Sequence, residues 1–341
     1  MGEGNQRRER QDRVTAVTRH FVRVTAVIAA CMLAGIPATG SGQGYPSKPI
    51  RIIVPFPPGA FNDTLGRTIA QKFSDGGIGQ TVVDNRPGAA STLGADLAAK
   101  SAPDGYTLLI VAVPFAVNAT LYTKLPYNTE RDFAPVIFAG ETSNMLVVHP
   151  SMPIRSVQEL VALAKARPGQ LNYASTGSGT SNHMSMELFK LMTKTDILHI
   201  PYKGSAPALT DLMGGHVMMT FDNTPNVLPH VRAGKLRGIA VTSLKRSALA
   251  PELPTVDESG VPGFEVSVWF GVVGPAGMPR EIVARLNAEI NKILQLADVR
   301  ERFKAGGVEP VGGSAAKFGD HLKAEIAKWG QVVKATGARV D

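Results

Sequence analysis

At 341 residues, with 44% hydrophobic and 19% charged side chains, the chain has room for two hydrophobic cores and the balance of a folded globular protein, which excludes a disordered polypeptide. Its formal charge of +8 is unevenly placed: residues 1–23 hold six arginines against Glu3, Glu9 and Asp12, and the rest is spread without a basic run, which excludes a nucleic-acid footprint. Cys31 is the only cysteine, and cleavage after it would leave a mature chain with none, so that disulfides, thiolate metal sites and cysteine nucleophiles would drop out together.

The N-terminus reads as an address. Arg7, Arg8, Arg10, Arg13, Arg19 and Arg23 lead into an uncharged apolar stretch, Val24 to Ile36, followed by small residues at Ala38-Thr39-Gly40 and Gly42. That is the order of a secretory signal. Pro37 ends the apolar stretch well short of the about 20 residues a membrane span needs. Residues 1–43 are therefore expected to be signal peptide and N-terminal extension, cleaved after Gly40 or within the next few residues, leaving a periplasmic protein. Ile28-Ala29-Ala30-Cys31 resembles a lipoprotein cleavage box, so anchoring through Cys31 is the minor alternative; the apolar run continues past Cys31.

The β-branched run Ile50 to Val54 breaks at Pro55, passes a Pro/Gly turn and enters an apolar-periodic segment beginning near Asn62 or Asp63. Strand, tight loop and helix in that order aim unpaired helix N–H groups at whatever sits above the sheet. Thr81 to Val83 is a short strand, and Arg86 to Thr92 a turn into a helix ending near Lys100. Thr107 to Val113, continuously apolar, is a strand covered on both faces. Leu121 to Asp132 is loop, and Val136 to Val148 holds one or two strands. Ser156 and Glu159 form a capping box with Ile154 as staple, opening a helix that stops at Pro168-Gly169. Leu171 to Leu191 repeats the strand–loop–helix plan, with Gly177 and Gly179 allowing close backbone approach. Further strands fall at His199 to Tyr202, Val217 to Phe221, Leu236 to Val241 and Val266 to Val273. Helices fall at Ala206 to Met213 and Pro229 to Ala233. After Pro279 the chain is helical, with Ile282, Leu286, Ile290, Ile293 and Leu294 at helix spacing, and a last helix covers about Ala315 to Ala335. No fixed-period repeat stands out. The alternation predicts an α/β protein with mostly parallel sheets.

Two loops carry the candidate chemistry. Pro57 to Asp63 is either an ordinary strand–helix turn capped by Asn62 or Asp63, or a wall of a binding cleft. The loop Ser175 to His183 gathers hydroxyls and amides, a neutral way to hold a carboxylate or phosphate. It is not a dinucleotide fingerprint, because Asn182 stands where the third glycine is required, and no Gly-Lys-Ser/Thr follows. The seven histidines show no metal spacing, and no Gly-x-Ser-x-Gly elbow is present, so neither a metal site nor a catalytic residue is expected. His183 is either a structural residue at a helix start or one facing the cleft. Asp222, at a strand end, is either a turn residue or a reader of a ligand amine or water.

Collinear landmarks then identify a family. Tyr45-Pro46-Ser47-Lys48-Pro49-Ile50, Val54-Pro55-Phe56-Pro57-Pro58-Gly59, Asn85-Arg86-Pro87-Gly88-Ala89 and Pro103-Asp104-Gly105-Tyr106-Thr107-Leu108 resemble the substrate-binding receptors of tripartite tricarboxylate transporters, the Bug family. So do Leu171-Asn172-Tyr173-Ala174-Ser175, Pro201-Tyr202-Lys203-Gly204, Phe221-Asp222-Asn223 and Ala233-Gly234-Lys235-Leu236. The resemblance covers Tyr45 to the C-terminus. It implies a two-lobed clamshell of periplasmic-binding-protein type II, with residues 45–147 plus 268–341 as lobe 1 and 148–267 as lobe 2. It further implies a non-enzymatic, monomeric receptor without cofactor that holds a small carboxylate through loop amides and ordered water and delivers it to membrane permease subunits. Phe56, Pro58, Gly59, Ala60 and Phe61 are then expected to wall the cleft from one lobe. Thr176, Gly177, Ser178, Gly179 and Thr180 are expected to supply amides and hydroxyls from the other, joined by His183 and Asp222. One departure stands out: the family usually has paired glycines where this chain has Gly59-Ala60-Phe61, so Ala60 restricts the backbone and Phe61 is expected to fill part of the cleft. The competing readings are a nucleotide-dependent oxidoreductase and a ligand-sensing receptor for a signalling partner.

Overall fold

The computed structural model describes residues 44–339, so the export signal and Cys31 lie outside the described residues. In chain order the elements are β1 (Ile50–Val54), α1 (Phe61–Asp75), β2 (Thr81–Asn85), α2 (Thr92–Ala99), β3 (Thr107–Ala112), α3 (Val113–Leu121), β4 (Phe133–Val148) and α4 (Val157–Ala166). They continue with β5 (Asn172–Ser175), α5 (Ser181–Thr193), β6 (Leu198–Pro201), α6 (Ser205–Met213), β7 (Met219–Asn223), α7 (Thr224–Arg232) and β8 (Arg237–Val241). Last come β9 (Ser267–Pro275), α8 (Arg280–Gln295), α9 (Ala297–Ala305), β10 (Glu309–Pro310) and α10 (Ala315–Thr336).

The strands form one curled sheet in the order β2-β1-β3-β9-β4-β7-β5-β6, with β8 and β10 both paired to β4. Its two ends are parallel, β2-β1-β3 and β7-β5-β6, as the alternation of strands and helices predicts. The middle is antiparallel, because β4 and β9 run against their neighbours. β4 is a single strand of 16 residues. Its first part pairs with β9 from Phe133 to Ser143, and Asn144 to Val148 turn to β7 and β8. One strand thus belongs to both ends of the sheet, and bulges near Val136 and Ala139 help it curve.

Side-chain alternation distributes the core. Ile52, Leu108 and Ile110 face α1, α8 and α9 in one cluster with Leu65, Ile69, Phe73, Leu286, Ile290 and Phe303. Ile53, Leu109 and Val111 point the other way, into a cluster with Phe115, Trp269, Phe318 and Trp329. These side chains are essentially unexposed, each contributing about 1.5–3 kcal/mol of transfer free energy. Within the second cluster the indole N–H groups of Trp269 and Trp329 both donate to Glu325 Oε2, at 2.8 Å each, giving a buried carboxylate two strong partners.

Local rules place most boundaries. Ser156 Oγ accepts from Glu159 N at 3.1 Å and the Glu159 carboxylate accepts from Arg155 N, so the capping box opens α4, over a buried Ile154. Three helices depart from expectation, α7 by starting at Thr224 instead of Pro229. α3 takes over at Val113, and is buried nearly all round, so it shows no amphipathic stripe. α9 has only Val299 and Phe303 buried, too few to mark a period.

Candidate functional site

The first loop leaves β1 at Pro55 and enters α1, whose N-cap is Ala60. Asp63, not Asn62, makes the decisive contacts. Its Oδ2 accepts from Gly59 N at 3.1 Å and Arg67 Nε at 2.9 Å, and its Oδ1 accepts from Asn85 Nδ2 at 2.9 Å. Burial opposes ionisation, but the bonds from Arg67, Asn85 and Gly59 prevail and hold the carboxyl below its ordinary range. Ala60 sits at φ −75°, ψ 162°, extended backbone open to any residue, so the expected restriction at this position is absent. Phe61 is half-buried, its ring 4.6 Å from Phe270 and 5.0 Å from Phe303, so it packs against the cluster that holds α1, α8 and α9. Phe56 is half-buried against the same core, while Pro58 and Gly59 are exposed.

The second loop joins β5 to α5, capped by Thr180. Gly177 at φ +127° and Gly179 at φ +79° make its turn, a region closed to most side chains. The threonine hydroxyls do not offer protons to a ligand, contrary to expectation. Thr176 Oγ1 donates to Asn182 Oδ1 at 2.8 Å, and Thr180 Oγ1 donates to the Gly177 carbonyl at 2.7 Å. Two glycine amides are also committed, Gly177 N to Ser175 Oγ at 3.2 Å and Gly179 N to His183 Nδ1 at 3.2 Å. His183 is therefore turned inward, 3% exposed, and is corrected from a cleft-facing residue to a buried acceptor. Burial depresses its pKa to about 4, against the opposing pull of Glu187, so the ring is neutral. Among the described residues, the amides of Ser178, Ser181 and Asn182 find no partner, and neither do those of Ala60, Phe61 and Asn62 at the start of α1.

Asp222 ends β7 at 1% exposure. Its carboxylate accepts from Ser205 Oγ, from Asn223 N at 2.6 Å and from Asn226 Nδ2 at 3.1 Å. Burial pushes its pKa above the ordinary value in spite of those bonds.

These pieces are joined in an arc. Asn85 Nδ2 ties the second strand's end to the Phe56 carbonyl at 3.2 Å. The next turn runs through positive φ at Ala89, Ala90 and Ser91, and the Ala90 carbonyl accepts from Asn118 Nδ2 of α3 at 2.7 Å. A Cβ built on Gly179 would stand 2.6 Å from Leu121 and 3.6 Å from Asn118 Oδ1, so the second loop rests directly on α3. Asn182 Nδ2 reaches the Phe221 carbonyl at 2.9 Å, beside Asp222. Gly306 abuts Phe61, and Gly307 abuts Pro225 of α7, closing the arc on its far side. Sequence reasoning missed Asn85, Ala90, Asn118 and the Gly306-Gly307 turn as members; only Asn85 and the turn after it fall within a quoted motif.

The arrangement offers neutral donors of a kind that can hold an anion. Neither loop carries a lysine or arginine of its own between Phe56 and Phe61 or between Thr176 and Thr180. The nearby guanidiniums of Arg67 and Arg86 are paired with Asp63 and Asp84. Asn62 Oδ1, Asn118 Oδ1 and Asn223 Oδ1 are buried acceptors without a partner among the described residues, which suits bound water or a ligand donor. A cavity of about 820 Å³ lies away from all of this, lined by Phe133, Met278, Val283 and Leu322 among others. Among the described residues no group of three or more His, Cys, Asp or Glu side chains is placed to hold a metal, and no helix is long and apolar enough to cross a membrane.

Residues 65–338 match the profile of the tripartite tricarboxylate transporter family receptor. BugT of Bordetella pertussis is 42% identical over 325 residues, spanning 94% of this chain and 99% of the relative. An R. palustris protein solved with adipate is 39% identical with a TM-score of 0.77, covering 87% of this chain and all of that one. MatC from Rhodopseudomonas palustris with bound malate is 30% identical with a TM-score of 0.75, covering 85% of this chain and all of that one.

Proposed function

The chain belongs to the tripartite tricarboxylate transporter receptor family, solute-binding receptors of this mixed α/β fold, and from that premise we propose that it captures a small carboxylate in the arc of loops and delivers it to membrane permease subunits. The observation that carries the reading is the set of unpartnered N–H groups at the starts of α1 and α5, in loops that hold no cationic side chain. Helix N-terminal amides favour negative charge, and hydrogen bonds to an ionised group contribute about 1.5–3 kcal/mol each. The adipate and malate held by two relatives, both dicarboxylates, support a small carboxylate as the ligand class, within the mono-, di- and tricarboxylates expected from the family.

Residues 45–147 with 268–341 form one lobe of the receptor and 148–267 the other, hinged where β4 and β9 pass between them. A ligand that touches donors of both lobes favours the closed state by its differential affinity for it. No step in this cycle makes or breaks a covalent bond, so the protein acts as a periplasmic receptor and not as an enzyme.

Calorimetric titration with adipate, malate and the corresponding diamides tests the proposal, with NAD and NADP in the same panel. The acids are expected to bind and the diamides to bind at least tenfold more weakly, since a neutral isostere forfeits about 1.4 kcal/mol or more of charge assistance. Binding of a dinucleotide with no response to any acid overturns it. Loss of adipate or malate uptake on deleting the receptor, with the permease intact, separates transport from a sensing role.

A further inference from the structure

An aromatic stack under the second loop, buried at Tyr173 and His183 and half-buried at His199, has no role in the reading above. Tyr173 of β5, His199 of β6 and His183 of α5 lie ring on ring, with centroids 4.9 Å apart for Tyr173 and His199 and 4.2 Å for the two histidines. Each imidazole reaches one glycine of the loop. Gly179 N–H donates to His183 Nδ1 at 3.2 Å. Gly177 N–H donates to Ser175 Oγ at 3.2 Å, and that oxygen is 2.6 Å from His199 Nε2.

We infer that the stacked His183–His199 pair is a positioning element for the anion-binding loop: by tying back the N–H groups of Gly177 and Gly179 it leaves the Ser178, Ser181 and Asn182 amides aimed at the ligand. The inference rests on the proposed carboxylate site. A glycine-rich loop with left-handed residues has many conformations open to it, and each must be excluded before its amides converge on one point. An acceptor fixed below each glycine does this.

Protonation dictates how the anchor works. His183 Nδ1 accepts, so the ring proton sits on Nε2, which faces Glu187 Oε1 at 4.0 Å. Glu187 in turn accepts from Tyr173 OH at 2.7 Å and Lys190 Nζ at 2.8 Å. Those are the titratable and charged groups that face the pair: Tyr173 from β5, and Glu187 and Lys190 from α5. Two imidazoles at stacking distance disfavour charge on each other, and burial does the same. A proton on Nδ1 converts the acceptor to a donor pointing at an N–H, and the loop loses its tie.

The test uses amide exchange and ligand affinity together, on His183→Leu, His183→Asn, His199→Leu and His199→Gln. Asparagine places a carbonyl where Nδ1 stood, and glutamine places one where Nε2 stood. Both leucines keep bulk without an acceptor. In ligand-free protein, His183→Leu is expected to lower protection of the Gly179 amide by about tenfold or more, the loss of one hydrogen bond of about 1.4 kcal/mol, and His199→Leu, which leaves the Ser175 acceptor in place but unheld, to lower protection at Gly177 by a smaller factor. Adipate affinity falls in step, and His183→Asn and His199→Gln restore both. Equal effects of leucine and amide variants, or a lowered melting temperature with both glycine amides still protected, reduce the pair to core packing and overturn the inference. If a leucine variant does not fold, wild-type protein decides. Gly179 protection holds from pH 8 to 6 and is lost toward pH 4, where the His183 ring takes its proton, and a Gly179 amide unmoved through that range overturns the inference. The exchange measurements need no ligand, so they decide the anchor even if no acid binds, an outcome that would sink the carboxylate reading alone.

Discussion

Asn182 joins the second loop to the end of β7: its Nδ2 donates to the Phe221 carbonyl at 2.9 Å while its Oδ1 accepts from Thr176 Oγ1 at 2.8 Å. The residue that disqualifies the loop as a dinucleotide fingerprint is thus the one that braces it. Asn182→Ala removes the Thr176 hydroxyl's acceptor and leaves the Phe221 carbonyl only the 3.1 Å contact from Thr220 Oγ1, at a cost of about 1–3 kcal/mol. Urea denaturation is expected to show a lower midpoint at unchanged slope, with weaker adipate binding. A variant as stable as the parent refutes the brace.

Gly177 is required for its backbone, not for space. A Cβ there would meet nothing nearer than 3.7 Å, yet φ is +127°. Gly177→Val is therefore expected to fold, with an unchanged circular dichroism spectrum, and to lose carboxylate binding by about tenfold or more, because a β-branched residue shifts the turn. Wild-type affinity in this variant would place the anion elsewhere.

Two buried groups pull stability in opposite directions with pH. His183 has its pKa depressed from 6.5 to about 4, so the folded state binds fewer protons than the unfolded one between those values. The stability it contributes is present above about pH 6.5 and is lost as pH falls toward 4. Asp222 has its carboxyl raised above 3.8, so its contribution is full below that value and is lost as pH rises through the folded pKa. Asp222→Asn is expected to match or exceed the parent's melting temperature at pH 7 while keeping the acid-side decline, and His183→Asn to shrink that decline. Melting curves from pH 4 to 8 check both. A fall of several degrees at pH 7 in Asp222→Asn would mean the carboxylate is net stabilising.

Glu325 is 7% exposed and accepts from two indoles. Glu325→Leu strands both N–H groups in an apolar core and is expected to cost about 2–5 kcal/mol, whereas Glu325→Gln, keeping one carbonyl acceptor, costs less. The midpoints of chemical denaturation should rank parent, Gln, Leu. Equal midpoints for Gln and Leu would mean that the acceptor contributes nothing.

Both strand–loop–helix units, the capping box at Ser156 and the apolar runs of β1 and β3 were legible because local rules and burial agree there. The helix start slipped by one or two residues to Phe61, since Asp63 reaches back to Gly59 instead of capping. The single 16-residue β4 is not legible as one strand: its partners change along its length, and partners are set by tertiary contacts. The site was half legible. The loops announce themselves by glycine and hydroxyl content, but which protons remain available depends on Asn182, His183 and Ser175, whose roles follow only from the folded geometry. Nothing in Asn118, an amide inside an apolar helix, marks it as the link between Ala90 and the second loop.

The chain has two tryptophans, and both donate to the one carboxylate of Glu325, each with no exposure. Its tryptophan fluorescence therefore comes from a single buried locus, with neither indole among the loops proposed to bind ligand. Emission should be blue-shifted and resistant to collisional quenchers such as iodide. A ligand held by the proposed loops does not touch either indole, so any spectral change on titration travels through β9 or α10 and reports a rearrangement of the scaffold. A titration without optical change is compatible with tight occupancy, which makes calorimetry or a fluorophore placed on α3 the appropriate readout.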